Sequence, residues 1–184
     1  ADRYRVLRFL DAGGTSEIYE AERCIGAKRV ALKLLSAAMA QEGAELFRHE
    51  AELVSRIAHP NVVAIEDFGT LPDGIHFMVL ELLNGHPLSV ELAARTVPVA
   101  SALKYAMQAC EGLAAAHDRG VLHCDIKPAN LFLHGDSASA EQTIKILDLG
   151  IGRWVADDVR QSAVPGVVSG TPEYMSPEQA LGLP

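Results

Sequence analysis

The 184-residue sequence has few of the features that mark several common protein classes. Its three cysteines are an odd number without a C-x-x-C pair, which argues against a disulfide framework and a zinc ribbon. It has neither an apolar run of the roughly 18 residues that a membrane span needs nor the apolar core of a signal peptide. Basic residues number 16 against 24 acidic ones, and the net charge of −8 argues against a nucleic acid or an anionic membrane as the main partner.

The remaining composition is typical of a reduced, cytosolic globular protein. Hydrophobic residues make up 49% of the chain and charged residues 22%. The length gives room for one large domain or two small ones, with enough residues to bury a core. Composition alone indicates no function.

The pattern of apolar residues changes near Asn84-Gly85, from strand-rich to helix-led. Before this point, alternation and turn residues predict a helix at 41–58 and strands at 4–10, 18–23, 30–35, 62–68 and 75–83. After it, the sequence predicts a long Ala-rich helix at 97–119 that ends before Gly120, then short apolar segments at 121–122, 131–133 and 144–147. We therefore predict an α+β fold of two domains, residues 1–83 and 84–184.

Two charged residues fall at apolar positions of the first domain. Strand alternation places Lys33 on one face with Ala31 and Leu35, where an ammonium group is at least partly buried and needs an anion. Glu50 lies on the apolar face of the predicted helix and could supply that anion. Taken alone, each residue is more commonly explained as a snorkelling lysine or as a glutamate at the edge of the apolar stripe.

Three further segments carry groups suited to phosphate and metal chemistry. Gly13-Gly14 lies in a predicted hairpin turn, where glycines let backbone N–H groups approach phosphate oxygens, although a plain hairpin turn is commoner. The segment from His123 to Asn130 combines an acid, a base and an amide within a few positions. Asp148 directly follows an apolar strand, and a carboxylate near an Asn oxygen suits magnesium better than zinc.

In this order the motifs resemble those of a eukaryotic-like, bacterial Hanks-type serine/threonine protein kinase. The resemblance spans essentially the whole chain and ends in a segment, Gly170 to Glu178, that looks like the end of an activation segment. It implies a two-lobed protein-kinase-like fold. A small antiparallel-sheet lobe with one regulatory helix would bind nucleotide, and an incomplete helical lobe would carry the catalytic loop and the activation segment. Because the family's domain continues further, it also implies a chain truncated in the larger lobe.

The resemblance assigns catalytic roles to three residues and metal binding to two. Asp125 would accept or orient the proton of the substrate hydroxyl, Lys127 would stabilise the transferring phosphoryl group, and Thr171 would lie beside Asp125. Asn130 and Asp148 would bind Mg²⁺ that bridges the phosphates of ATP. His123 would be structural and would pack against the Asp-Leu-Gly segment.

The other implied site residues bind the nucleotide. Lys33, steadied by Glu50, would hold the α and β phosphates, and backbone groups of Glu81 and Leu83 would bond the edge of the base. The full implied nucleotide-binding set is Leu10, Gly13, Gly14, Ile18, Ala31, Lys33, Glu50, Leu80, Glu81, Leu83, Phe132 and Leu147.

The sequence departs from the family pattern at three positions. Asp11 and Ser16 stand where the glycine-rich loop has its first and third glycines, and we expect Asp11 to face solvent at the start of the hairpin. Cys124 replaces the arginine that precedes the catalytic Asp and that binds an activation-loop phosphate in the family. Its replacement indicates activity that is not gated in this way.

The sequence thus predicts an enzyme that transfers phosphoryl groups from ATP to Ser/Thr hydroxyls of proteins, with self-phosphorylation in a homodimer as one arrangement. The implied cofactors are ATP and Mg²⁺, with no nucleic-acid partner and no membrane contact within this chain. The expected location is cytoplasmic, including as the cytoplasmic part of a longer membrane-anchored protein. A nucleotide-binding pseudokinase or scaffold, inactive as this truncated chain, and a small-molecule kinase of the same fold are the alternatives.

Overall fold

A computed structural model describes residues 3–13, 16–35, 51–135, 142–149 and 171–181. The chain forms two compact units. The first comprises Ala1–Arg56 and Val63–Leu83, and the second comprises Ile57–Val62 and Asn84–Pro184. The division of the chain into functional domains at residues 83 and 84 stays a prediction.

The first unit is built on a five-stranded antiparallel sheet in the order β1-β2-β3-β5-β4. Its strands are β1 (Tyr4–Ala12), β2 (Ser16–Arg23), β3 (Arg29–Leu35), β4 (Ile65–Thr70) and β5 (His76–Glu81). Residues 51–55 are helical, so the helix ends before residue 58, the end predicted from the sequence; residues 41–50, including Glu50, lie outside the described residues. The β4–β5 turn forms as expected, with Gly74 at a φ of +87° that suits glycine.

Strand β3 separates two apolar clusters, one on each face of the sheet. Val30 and Leu32 lie in one cluster with the buried side chains of Ala21, Phe77 and Val79. Leu35 lies in the other cluster with Ala51 and Met78. The alternation predicted from the sequence is confirmed, because side chains two residues apart on a strand share a face.

The second unit combines short helices with a three-stranded antiparallel sheet in the order β6-β7-β8. Its helices are α1 (Leu88–Ala94), α2 (Val99–His117) and α3 (Pro177–Ala180), and its strands are β6 (Gly85–Pro87), β7 (Leu131–His134) and β8 (Thr143–Ile146). Its buried cluster joins Ala109 of α2 to Leu133 and Ile144 of the sheet. No helix in the described part of the chain is long and apolar enough to cross a membrane.

Helix α2 forms where the Ala-rich sequence predicts it, because alanine has the highest intrinsic helix propensity. The helix follows Pro98 and ends near Gly120, whose φ of +72° lies in the left-handed region that favours glycine. Gly112 lets α2 approach closely, since a Cβ atom there would lie 2.7 Å from Cδ1 of Ile146 and 3.0 Å from the carbonyl oxygen of Asn61. The helix therefore rests directly on the strand that leads to Asp148.

The structure also differs from the sequence-based expectations at Val62 and in two elements that were not predicted. Val62 does not begin a strand of the first sheet but forms a parallel bridge with Ile146 in the second unit. The side-chain amide of Asn61 donates to the Ile144 carbonyl over 2.9 Å and fixes this pairing. Strand β6 and helix α1 were not predicted, because segments of three and seven residues are too short for a clear apolar period.

Candidate active site

The second unit gathers three of the predicted site residues around the carboxylate of a fourth, Asp125. The Lys127 ammonium lies 2.7 Å from Asp125 Oδ2, and the Thr171 hydroxyl donates to Asp125 Oδ1 over 2.8 Å. The backbone N–H of Thr171 donates to the same Oδ1 over 3.0 Å. Asn130 Nδ2 donates to the Asp125 carbonyl over 2.8 Å and reaches Asp125 Oδ2 at 3.2 Å.

Lys127 also links the other members of this cluster. Its Nζ donates to Thr171 Oγ1 over 2.6 Å, so ammonium, hydroxyl and carboxylate form a closed ring. The side chains of Lys127 and Asp125 are 25% and 32% exposed, which leaves the ring reachable from solvent. Such a ring can hold a carboxylate ionised and present it, together with a cation, to a substrate hydroxyl.

The pKa of Asp125 depends on opposing effects. Burial raises the pKa of the Asp125 carboxyl, but hydrogen bonds from Lys127 and Thr171 favour the charged form and leave the pKa below its usual value. Asp125 is therefore a carboxylate at neutral pH and can accept a proton.

Local backbone geometry places these groups. Cys124 has a φ of +60°, and the chain then turns through a 3₁₀ helix at Pro128–Asn130 before entering β7. Pro128 suits the first position of that turn, since its ring presets φ and its missing N–H has no intrahelical partner there. The turn brings Asn130 back to Asp125.

His123 joins this loop to the segment that carries Asp148. The backbone N–H of Asp125 donates to His123 Nδ1 at 3.4 Å, which leaves Nε2 as the protonated nitrogen, 3.0 Å from the Leu147 carbonyl. Burial lowers the pKa of His123, so the ring is neutral at pH 7. His123 thus contacts the residue directly before the Asp-Leu-Gly segment, and its structural role stays a prediction.

Asp148 itself follows a residue that pairs with the catalytic loop. The Leu147 N–H donates to the Asn130 carbonyl over 2.9 Å. Asp148 is exposed and has a φ of +52°, a conformation that Asp tolerates better than most residues. Phe132 and Leu147, the nucleotide-binding residues predicted in this unit, are both half-buried.

One residue at this site was not predicted from the sequence. The Gln179 side-chain amide donates from Nε2 to the Cys124 carbonyl over 2.7 Å, so α3 contacts the catalytic loop directly. The Ser-Pro-Glu-Gln pattern predicts the N-cap of a short helix, with Gln at the third helical position of a capping box. Nothing in that local pattern indicates a partner 55 residues away.

The first unit places the predicted phosphate-binding lysine on one face of its sheet. Lys33 of β3 is only 4% exposed and pairs with Ile18 on one side and Met78 on the other. Ala31 pairs with Leu80 and lies two residues from Lys33, so its side chain is on the same face. The structure thus collects Ile18, Ala31, Lys33 and Leu80 from three strands.

The ends of this sheet carry the remaining predicted residues of the first unit. Leu10 and Gly13 lie at the end of β1, and Gly13 N–H donates to the Ser16 carbonyl over 2.8 Å. Asp11 is exposed, as expected, and its Oδ1 accepts from the Ala12 N–H. Glu81 ends β5, and Leu83 follows it; Gly14 and Glu50 lie outside the described residues.

Residues 4–181 match the protein kinase domain family. Serine/threonine-protein kinase pkn2 of Myxococcus xanthus is 45% identical over 183 residues, covering 98% of this chain and 22% of that protein. Serine/threonine-protein kinase PknB of Mycobacterium leprae is 33% identical over 188 residues, covering 99% of this chain and 29% of that protein. The PknI kinase domain of Mycobacterium tuberculosis superposes with a TM-score of 0.71 at 31% identity, covering 82% of this chain and 60% of the solved one.

The match to the family spans residues of both units. The chain belongs to the protein kinase family, within its bacterial Hanks-type serine/threonine group. The predicted two-lobed kinase-like fold is confirmed. The family uses ATP and a divalent metal ion and acts on proteins. The chain spans less than a third of the length of the pkn2 and PknB proteins.

Proposed function

We propose that this chain transfers the terminal phosphoryl group of ATP to Ser/Thr hydroxyls of proteins, its own included. The observation that carries the proposal is the ring of Asp125, Lys127 and Thr171, with Asn130 bound to the same carboxylate. An ionised carboxylate beside an ammonium group suits a reaction in which a hydroxyl loses a proton while negative charge develops nearby.

Each member of the ring has a part in the proposed reaction. Asp125 orients the substrate hydroxyl and accepts its proton at a carboxylate oxygen, since its lowered pKa keeps it charged. Lys127 places a positive charge next to the transferring group. Thr171 holds Asp125 through both its hydroxyl and its backbone N–H, which fixes the orientation of the carboxylate.

The donor atoms of the second unit fit a magnesium ion. Within the described residues, both side-chain bonds of Asn130 use its amide nitrogen, which leaves the amide oxygen for a hard cation. Asp148 adds a carboxylate on the segment that pairs with Asn130 through Leu147. Bound Mg²⁺ would neutralise charge on the phosphates of ATP.

In the first unit, we propose that Lys33 binds the α and β phosphates and that Glu50 steadies it. Lys33 is only 4% exposed, and anionic oxygens, those of carboxylates and phosphates alike, stabilise a buried ammonium group. Ile18, Ala31 and Leu80 form an apolar surface for adenine on the same face of the sheet. The remaining proposed contacts come from Leu10, Gly13, Gly14, Glu81, Leu83, Phe132 and Leu147.

The hydrogen bonds of Glu81 indicate which of its atoms could bind the base. Its backbone N–H donates to the Ala64 carbonyl over 3.0 Å, and its carboxylate accepts from the Ala64 N–H over 2.8 Å. We therefore propose that Glu81 meets the base edge through its carbonyl oxygen. Leu83 would supply the second backbone group.

We also propose that the substrates are proteins, that the chain acts in the cytoplasm and that it forms a homodimer during self-phosphorylation.

The experiment that tests the proposed function measures transfer from labelled ATP with magnesium to the chain itself and to a generic basic protein. Asp125→Ala should lower transfer by at least about 100-fold, because general-base groups contribute that much or more. Asp118→Ala, which removes an exposed carboxylate at the end of α2, is the matched control and should keep full activity.

Lys33→Ala separates catalysis from nucleotide binding. We expect it to weaken magnesium-dependent ATP binding, which isothermal titration calorimetry measures directly. Loss of binding in Lys33→Ala, together with no transfer by the wild type, would support a nucleotide-binding module instead. Transfer that survives in Asp125→Ala would contradict the proposed base.

A further inference from the structure

We propose that Gln179 is a positioning residue for Asp125, acting through the peptide bond that precedes the catalytic Asp. This inference rests on the proposed kinase activity. The carbonyl group of Cys124 and the N–H group of Asp125 belong to one peptide unit. Gln179 Nε2 donates to that carbonyl over 2.7 Å, while His123 Nδ1 accepts from that N–H at 3.4 Å. The peptide is therefore held from both ends.

The backbone conformation of Cys124 explains why this peptide bond needs stabilising contacts. Cys124 has a φ of +60°, in the left-handed region that non-glycine residues rarely occupy and that neighbouring contacts must stabilise. The bond that the Asp125 N–H donates to His123 is long at 3.4 Å, and the bond that Gln179 donates to the Cys124 carbonyl is shorter at 2.7 Å. Rotation of this peptide would turn the Asp125 side chain away from its present partners.

The same segment reaches Asp125 from a second direction. Thr171 binds the Asp125 carboxylate through its hydroxyl and backbone N–H, and Gln179 lies eight residues further along. Side chain and main chain of the catalytic loop are thus both attached to residues 171–179. Since Cys124 stands where the family has a phosphate-binding arginine, we infer that these contacts position the loop without a phosphate.

Gln179 has another role that the test has to separate from this one. Its Oε1 accepts from the Ser176 N–H and its own N–H donates to Ser176 Oγ, both at 3.3 Å, which closes the capping box of α3. Gln179→Glu keeps the oxygen that the capping box needs, since Glu and Gln both serve there. It replaces the amide donor with a carboxylate oxygen facing the Cys124 carbonyl. The substitution therefore removes one contact and retains the other.

Gln108→Glu is the matched control for the added charge. Gln108 is also half-buried, lies on α2 and accepts from the Ile144 N–H through Oε1, a contact that Glu preserves. Ser176→Ala weakens the capping box but leaves the Gln179 donor in place. Together these variants distinguish the effect of the bond between Gln179 and the catalytic loop from the effects of an added charge and of helix capping.

We expect Gln179→Glu to lower kcat about tenfold. A fall of this size corresponds to the loss of about one hydrogen bond that stabilises the transition state. The KM for ATP should stay within about twofold, because a group positioned only for the chemical step does not alter ground-state binding. The melting temperature should stay within about 3 °C of the wild type. Gln108→Glu and Ser176→Ala should keep kcat.

Hydrogen exchange provides a readout that does not depend on activity. Amides of a peptide spanning residues 121–130 should exchange faster in Gln179→Glu than in the wild type, and at the wild-type rate in Gln108→Glu. If Gln179→Glu does not fold, Gln179→Met removes the donor without adding charge but also removes the capping-box oxygen, so Ser176→Ala is then its matched control.

Equal exchange and equal kcat in Gln179→Glu and Gln108→Glu would overturn the proposal, as would an equal fall of kcat in Ser176→Ala. If the wild type itself transfers no phosphate, the proposed function fails. The exchange comparison then still decides whether Gln179 holds the loop.

Discussion

Replacing Thr171 by valine tests whether the hydroxyl in the Asp125 ring contributes to catalysis. Valine has nearly the same shape as threonine but has a methyl group in place of Oγ1. The change removes the 2.6 Å bond from Lys127 and the 2.8 Å bond to Asp125, while the backbone N–H of residue 171 still reaches Asp125. The carboxylate keeps its 2.7 Å contact with Lys127.

The size of the effect follows from these bonds. Hydrogen bonds to charged groups are worth about 1.5–3 kcal/mol each when buried. The side chains of Lys127 and Asp125 are 25% and 32% exposed, so water replaces part of what is lost. We expect a net loss of about 2 kcal/mol, which corresponds to a fall in kcat of roughly 30-fold.

The assay is steady-state phosphate transfer to a generic basic protein at saturating ATP. Thr171→Ser retains a hydroxyl and is expected to stay within a few-fold of the wild type, which controls for the loss of the methyl group. A Thr171→Val enzyme with wild-type kcat would show that the ring is a structural contact without catalytic consequence. Equal losses in the valine and serine variants would implicate side-chain packing instead.

Two further predictions concern stability. Gly112→Ala should lower the free energy of unfolding in urea by about 1 kcal/mol. Crowding of the new methyl group against Ile146 costs about 1–3 kcal/mol, whereas the better helix propensity of alanine returns only about 1 kcal/mol. An increase in the free energy of unfolding would contradict this close approach. Burial lowers the pKa of His123 in the folded state, so the unfolded chain binds more protons and stability falls as pH drops below about 6.5. His123→Gln should flatten the unfolding free energy between about pH 7 and pH 5, and an unchanged slope would show that other groups account for it.

Local sequence patterns predicted much of the architecture, as β3 and α2 illustrate. The alternation around Lys33 is a property of neighbouring residues, and the structure places that lysine on the face that the alternation predicts. The Ala-rich run and the following Gly120 likewise identify α2 and its end. By contrast, the seven-residue α1 and the bridge at Val62 depend on contacts with distant chain segments.

The candidate site was predicted through motif resemblance rather than through geometry. Asp125 and Thr171 are 46 residues apart, and no periodicity connects them. Gln179 shows the limit more sharply, since its local pattern predicts a helix cap and its contact with Cys124 becomes visible only in three dimensions. The roles of all these site residues stay predictions, and for Glu50 and Gly14, which lie outside the described part of the chain, the structure adds no geometry.

The bonding of the Asp125 carboxylate has a consequence for how an acceptor can enter. A carboxylate offers about four lone-pair positions, and four donors already occupy them: the hydroxyl and backbone N–H of Thr171, the ammonium of Lys127 and the amide of Asn130. An incoming hydroxyl therefore has to replace one of these donors rather than fill an empty position. The 3.2 Å bond from Asn130 is the longest and the least costly to give up. Acceptor binding would then be an exchange of partners, in which Asn130 keeps its 2.8 Å bond to the Asp125 carbonyl and gives up the carboxylate.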